Sequence, residues 1–260
     1  MYIVTDAGQP DSEEVSVLKI RIKFSKQGPV KFIGHLDTMR YFQKLIRRSG
    51  IDIAYSEGYS PHQKMSFAQP LSVGVESNAE YMDIEVNSAV SSENLIEKMN
   101  SFQAEGFFIT DAVMLPDNAE NAMASVYAAD YTVQFRKGYE CPLDLVTAIQ
   151  DFNSATEYRI TKETKKSLRE IDLKEFVYIL RSDIDNGNRS DGTGHLFMRL
   201  SAGSGTNIKP HLLLSSLYNK YGYELSGSVL MITREELYSE NMQPLIAAGE
   251  HFDLSVNGGC

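Results

Sequence analysis

The feature that most constrains this chain is a change of hydrophobic period near its start. In "VLKIRIKFSK", Leu18, Ile20, Ile22 and Phe24 alternate with Lys19, Arg21 and Lys23, the period of two expected of a strand with one buried face. After a turn at "QGP", residues 35–49 switch to helical spacing, stopped by Gly50. "IDIAYS" is strand-like, "EGYSPHQK" is a loop, and "AEYMDIEVN" alternates Tyr81, Asp83 and Glu85 with Met82, Ile84 and Val86. "SSENLIEKMNSFQAEG" is a second amphipathic helix, with Leu95, Ile96, Met99 and Phe102 on one face and Gly106 as its stop, and "FFITDAVML" is a closing strand. The order β-α-β-β-α-β is that of the ferredoxin-like arrangement, two helices on an antiparallel sheet.

The remainder suggests a second pass. "YTVQFR" is a strand and "CPLDLVTAIQDF" a helix with Pro142 in its first turn. "EYRITKETKKSLREIDLKEFVYIL" holds two strand-like pieces or ends in a short helix. "HLFMRLSA", "KPHLLLSSLYNKYG" and "SVLMITREELY" then read strand, helix, strand. The expectation is α+β, two tandem ferredoxin-like (βαββαβ) domains with antiparallel sheets at 17–115 and 129–240. A connector at 116–128 joins them, and flexible tails at 1–16 and 241–260 flank them.

Composition narrows the function classes. No apolar run approaches the ~18 residues that span a bilayer, so no membrane partner is expected. The first residues have neither a basic leader nor an apolar core, so no signal peptide is expected. Cys141 and Cys260 are the two cysteines. They suffice for no disulfide framework or zinc site, and a reducing cytoplasm is the default compartment. A radical SAM enzyme needs three cysteines for its iron–sulfur cluster, so this chain is not one by itself. No cofactor and no metal are expected.

The charge is uneven. Residues 19–64 hold ten Lys/Arg against Asp37, Asp52 and Glu57, a local +7 in a chain whose formal net charge is −10. One basic face on an acidic body suits selective contact with an anionic partner. On a wheel of 100° per residue, Met39, Phe42, Ile46 and Ser49 share a sector flanked by Leu36 and Leu45. Asp37, Arg40, Lys44, Arg47 and Arg48 fall opposite. Any amphipathic helix has a solvated polar face, and Asp37 at helical spacing can pair locally. Yet like charges on neighbouring positions repel, and arginine grips phosphate in a planar fork, so the stripe is a candidate anion site with Asp37 as an orienting group. His35, at the start of this helix, is either a packed or capping histidine or a general base.

The loop "SEGYSPHQKMSF" is the second candidate. Gly58 permits unusual backbone angles, Pro61 stiffens the turn, and Tyr59, His62 and Lys64 combine a stacker, a switchable donor and a cation. Such a set holds a nucleotide, or is a turn packed on its own domain. A third basic run, Lys162, Lys165, Lys166 and Arg169, is offset by Glu163, Glu170 and Asp172 and reads as solvated surface. There is no GxxxxGK[ST], G-x-S-x-G or HExxH, and "SAGSGTNIKP" reads as a flexible loop.

The stretches "FSKQGPVKFIGHLDTMRYFQKLIRRSG", "AYSEGYSPHQKMSFAQPLSVGVES" and "EYMDIEV" resemble the radical-SAM-linked proteins, a family of unknown function encoded beside or fused to cobalamin-type radical SAM proteins. The resemblance is dense over 19–86 and extends over about 17–240. It places His35, Asp37, Arg40, Arg47, Arg48, Gly58, Pro61, His62, Lys64, Ser66 and Phe67 at positions of the family pattern. Gly34, Lys44, Ser60 and Gln63 stand where serine, arginine, asparagine and proline are usual; the last two leave the loop less rigid. What the resemblance implies is a partner, a radical SAM protein, more than a reaction. Three functions are therefore expected in competition. One is an accessory protein that binds RNA or another anionic substrate for a separate radical SAM enzyme. The second is a metal-independent RNA-processing enzyme using His35 or His62 as general base. The third is a module that only docks to protein.

Overall fold

The computed structural model describes residues 17–139, 141–163, 168–182 and 195–255. The first half runs β1 (Leu18–Lys26), α1 (His35–Arg48), β2 (Met65–Phe67), β3 (Glu76–Val86), α2 (Ser92–Asn100) and β4 (Phe107–Met114). A four-residue helix, α3 (Ala122–Ser125), follows. The second half runs β5 (Ala128–Phe135), α4 (Leu145–Ser154), β6 (Arg159–Glu163), β7 (Leu168–Asp172), β8 (Val177–Ser182), β9 (His195–Ser201), α5 (Pro210–Lys220) and β10 (Leu230–Tyr238).

The period-two reading of β1 holds: Ile20, Ile22 and Phe24 are buried against Phe42 and Ile46 of α1, Met82 and Ile84 of β3, and Leu95 and Met99 of α2. Phe102, expected on the same face of α2, lies past its end and is half exposed. A second core gathers Val133, Phe152, Leu196, Leu213 and Tyr218 with Ala79 and Tyr81 of β3. β3 therefore sends alternate side chains into both cores.

That sharing corrects the expected architecture. The strands form one mixed sheet, β4-β1-β3-β10-β5-β9-β8, with β2 also on β3, rather than two separate antiparallel sheets. Counting in each half only the strands of this sheet, the fourth precedes the first, third and second, as a βαββαβ order requires. The halves are welded by β3 and β10, which run parallel with Glu76 opposite Thr233 and Ser77 opposite Arg234. The physical reason is the shortness of β2. Its three residues cover only Met82–Ile84 of β3, and the bare edge next to Glu76 would otherwise expose unpaired backbone groups. β6 and β7 form a separate hairpin between α4 and β8, followed by a 3-10 turn at Leu173–Glu175.

The expected tail at 241–260 is also corrected as far as residue 255. Leu245 and Phe252 are 1% and 7% exposed. The Met114 amide donates to the Glu250 carbonyl at 2.9 Å, and the Ser92 amide to that of Phe252. This segment and the stretch leading into α3 cover the face of β1 opposite its helices. There Arg21, fully buried, forks onto Asp83 (Nε–Oδ1 2.8 Å, Nη2–Oδ2 2.9 Å) and donates to the carbonyls of Leu245 and Glu120. Asp83 also accepts the Ala122 amide at 2.6 Å, fixing the start of α3.

Candidate functional site

α1 is held by one side. Phe42, Leu45 and Ile46 are buried, the Phe42 ring lies 4.5 Å from that of Phe24, and Tyr41 stacks on Phe107 at 4.5 Å. Arg40, Lys44, Arg47 and Arg48 are exposed on the other side. Arg40 is met locally by Asp37, Nη1–Oδ1 3.0 Å, an exposed pair of the kind that contributes little stability. Lys44, Arg47 and Arg48 form no ion pair among the described residues. Leu36 and Phe32, 61% and 63% exposed, add apolar surface at the head of the helix. His35 occupies the first helical position, and its half-buried ring packs edge-on against Phe67, with centroids 5.6 Å apart.

The loop after α1 folds back on itself. Tyr55 bridges Gln63, and the Ser56 amide donates to the His62 carbonyl at 2.9 Å. Gly58 takes φ +102°, a conformation that favours glycine. The Ser56 hydroxyl sits 2.7 Å from His62 Nδ1 and accepts the His62 amide, so the imidazole is oriented by its own hairpin. Gln63 is buried and donates through Nε2 to the Gln43 carbonyl, tying the loop to α1. Tyr59 and Pro61 are exposed, Tyr59 fully.

His62 and Lys64 line a cavity of about 420 Å³ with Lys19, Ser66, Asp83 and Glu85. Asp83 and Glu85 alternate along β3 with Met82 and Ile84, which pack under α1, so these carboxylates belong to the opposite sheet face. Lys64 is met there by Glu85, Nζ–Oε2 2.7 Å. No residue of α1 lines this cavity. The structure thus brings His62 and Lys64 together and sets them apart from the cations of α1.

Residues 19–210 match the family described as "Uncharacterized protein conserved in bacteria (DUF2344)". The chain belongs to this family. DUF2344 proteins are often found near or fused to cobalamin-type radical SAM proteins. No curated protein matches the chain. Among solved structures it is similar to a chain of "Crystal Structure of a Cbf5-Nop10-Gar1 Complex", at 11% identity and a TM-score of 0.44. That likeness covers 85% of this chain and 50% of that one, so the chain spans about half the length of its structural neighbour.

Among the described residues no three or more His, Cys, Asp or Glu side chains are grouped to hold a metal ion. No helix among them is long and apolar enough to cross a membrane. Cys141 is half-buried, its thiol 2.8 Å from the Tyr218 hydroxyl. Of the third basic run, Arg169 is exposed, whereas Lys165 and Lys166 and the side chain of Lys162 lie outside the described residues. Sequence reasoning missed a cavity where the halves meet, bounded by residues 69–75 and by the "SAGSGTNIKP" loop. Glycines before a helix were its one sequence signal; Tyr131 and Arg234, which share it, come from distant strands.

Proposed function

We propose that this protein is an accessory module that binds RNA through α1 and presents it to a separate radical SAM enzyme, on a scaffold of two fused ferredoxin-like halves. The observation that carries this reading is the outer face of α1. Arg40, Lys44, Arg47 and Arg48 are exposed there, three of them in no ion pair among the described residues, in a chain of net charge −10. Such a stripe meets phosphates by charge and, at the arginines, by a bidentate fork. The exposed Tyr59 ring offers a stacking platform for a base. Lys64, engaged by Glu85, adds less to the phosphate contacts than its sequence position suggested.

Four phosphate contacts predict a slope of log K against log salt of about −3, a loss of roughly 50- to 150-fold between 50 and 200 mM salt. Anisotropy titration of a small structured RNA across that range measures it. Arg47→Glu with Arg48→Glu should remove at least half of the slope. Salt-insensitive binding, or none with or without the radical SAM partner, refutes the reading. Loss of the protein complex with RNA affinity intact assigns α1 to protein docking instead, a role its exposed Leu36 and Phe32 also suit.

A second reading rests on His62. Its ring is oriented by Ser56 beside a cavity holding Lys19, Lys64 and two carboxylates, an arrangement able to move a proton in RNA processing. RNA cleavage abolished by His62→Ala would favour it. His35, packed on Phe67, is the weaker base candidate.

A further inference from the structure

A cavity of about 780 Å³ opens where the two halves meet. One wall is the 69–75 loop between β2 and β3; the other is built by β5, β10 and the loop from β9 into α5. The volume falls in the range of small-ligand sites. In a chain with 35 Asp and Glu, none lines it. Lys209 and His211, both exposed, stand on the α5 side, and Lys209 forms no ion pair among the described residues. Arg234 also lines it, 1% exposed, its charge balanced from behind by Glu80. A net positive edge is thus left at the α5 side.

The other lining groups are of a different kind. Tyr131 and Ile232 supply an apolar wall, and Val73 and Met123 are exposed large apolar side chains beside it. Gln69 lines the cavity too, and its side-chain oxygen is buried with no hydrogen-bond partner among the described residues. Two glycines shape the α5 side. A Cβ at Gly227 would come within 3.2 Å of the His211 ring, and one at Gly203 would strike the Val126 carbonyl. A side chain at Gly227 would therefore crowd His211 in the cavity, whereas one at Gly203 would meet backbone.

Positive charge at one side and an apolar wall that includes the Tyr131 ring together suit a ligand with an anionic group and a ring system. We infer that this cavity binds one nucleotide, its phosphate at Lys209 and His211 and its base beside Tyr131 and Ile232, either free or as one unit of an RNA strand. This goes beyond the α1 reading, with which it shares no residue, and holds whether or not α1 binds RNA.

Calorimetry of the full chain with AMP, GMP, CMP and UMP tests it, with the four nucleosides and inorganic phosphate as comparison arms. Saturable binding of at least one nucleotide is expected, tenfold or more tighter than its nucleoside. Lys209→Glu should weaken it tenfold or more, Lys98→Glu on α2 should leave it unchanged, and Ile232→Trp should block it. Should Ile232→Trp fail to fold, the exposed Lys209→Glu still decides. A short RNA that competes with the mononucleotide identifies a strand as the natural source; one that does not identifies the free nucleotide. No binding of any of the four at millimolar concentration, or binding unmoved by Lys209→Glu, overturns the inference. RNA binding indifferent to Arg47→Glu and Arg48→Glu would sink the α1 reading alone, so the two failures are separable.

Discussion

Removal of Glu80 should be among the most damaging single changes in this protein, because it strands a buried cation on the seam between the halves. Arg234 is 1% exposed and Glu80 8%. The guanidinium donates through Nε to Glu80 Oε1 at 3.0 Å, again to the same oxygen through Nη2, and to the Gln69 carbonyl at 2.9 Å. Glu80 lies on β3 and Arg234 on β10, so the pair sits beside the parallel contact that makes the sheet continuous. Glu80→Ala leaves the Gln69 carbonyl and the Tyr131 hydroxyl as the remaining neighbours of a desolvated charge. Stranding one partner of a buried pair costs about 3–5 kcal/mol, on the order of 100-fold or more in the folded-to-unfolded ratio.

Urea unfolding followed by circular dichroism measures this, since the chain has no tryptophan. Wild type should unfold in one transition, because both cores share β3. The double change Arg234→Met with Glu80→Leu should lose less than the sum of the two single losses, because it removes both charges. A cost for Glu80→Ala under about 1 kcal/mol, the scale of an exposed pair, would refute the argument. So would two separate wild-type transitions.

Further expectations concern the tyrosines and the C-terminal segment. The Tyr221 hydroxyl donates to Asp151 Oδ2 at 2.5 Å, which pushes its pKa up to about 12; burial, followed by the bond to Asp130, does the same to Tyr238. A phenol raised in the folded state contributes its full stability below the ordinary tyrosine value of about 10 and loses it as pH climbs towards 12. Ultraviolet titration should show late-ionising tyrosines, and Asp151→Asn should bring Tyr221 back towards the ordinary value. An unchanged titration curve in that variant refutes the assignment. Leu245→Ala and Phe252→Ala should each destabilise by about 2–5 kcal/mol, as core truncations do. Changes under about 0.5 kcal/mol in urea midpoints, typical of surface sites, would mean that 241–255 is no part of the core.

What the sequence revealed, and what it did not, divides along a physical line. Period reports which residues share a face, so β1, α1 and the exposure of Arg40, Lys44, Arg47 and Arg48 were legible. Period does not report whether the other face is covered. Lys19, Arg21 and Lys23 read as a polar outer row, yet Arg21 is fully buried, because the segment with Leu245 and the stretch with Glu120 that leads into α3 lie over it. The cost of that burial is met by Asp83, whose alternation with Met82 and Ile84 looked equally like a solvated position. The join of β3 to β10 was hidden for a related reason: it depends on β2 being too short to cover its neighbour, a matter of backbone length and not of residue type. Once those two strands meet, the 69–75 loop is brought against the loop that leads into α5. The junction cavity is therefore a product of the weld, with walls drawn from both halves of the chain, and no window of sequence contains it. The α1 stripe, by contrast, lies within a single helix and needs no tertiary partner to be read. Loosening the weld should accordingly disturb the cavity while leaving the charges of α1 where they are.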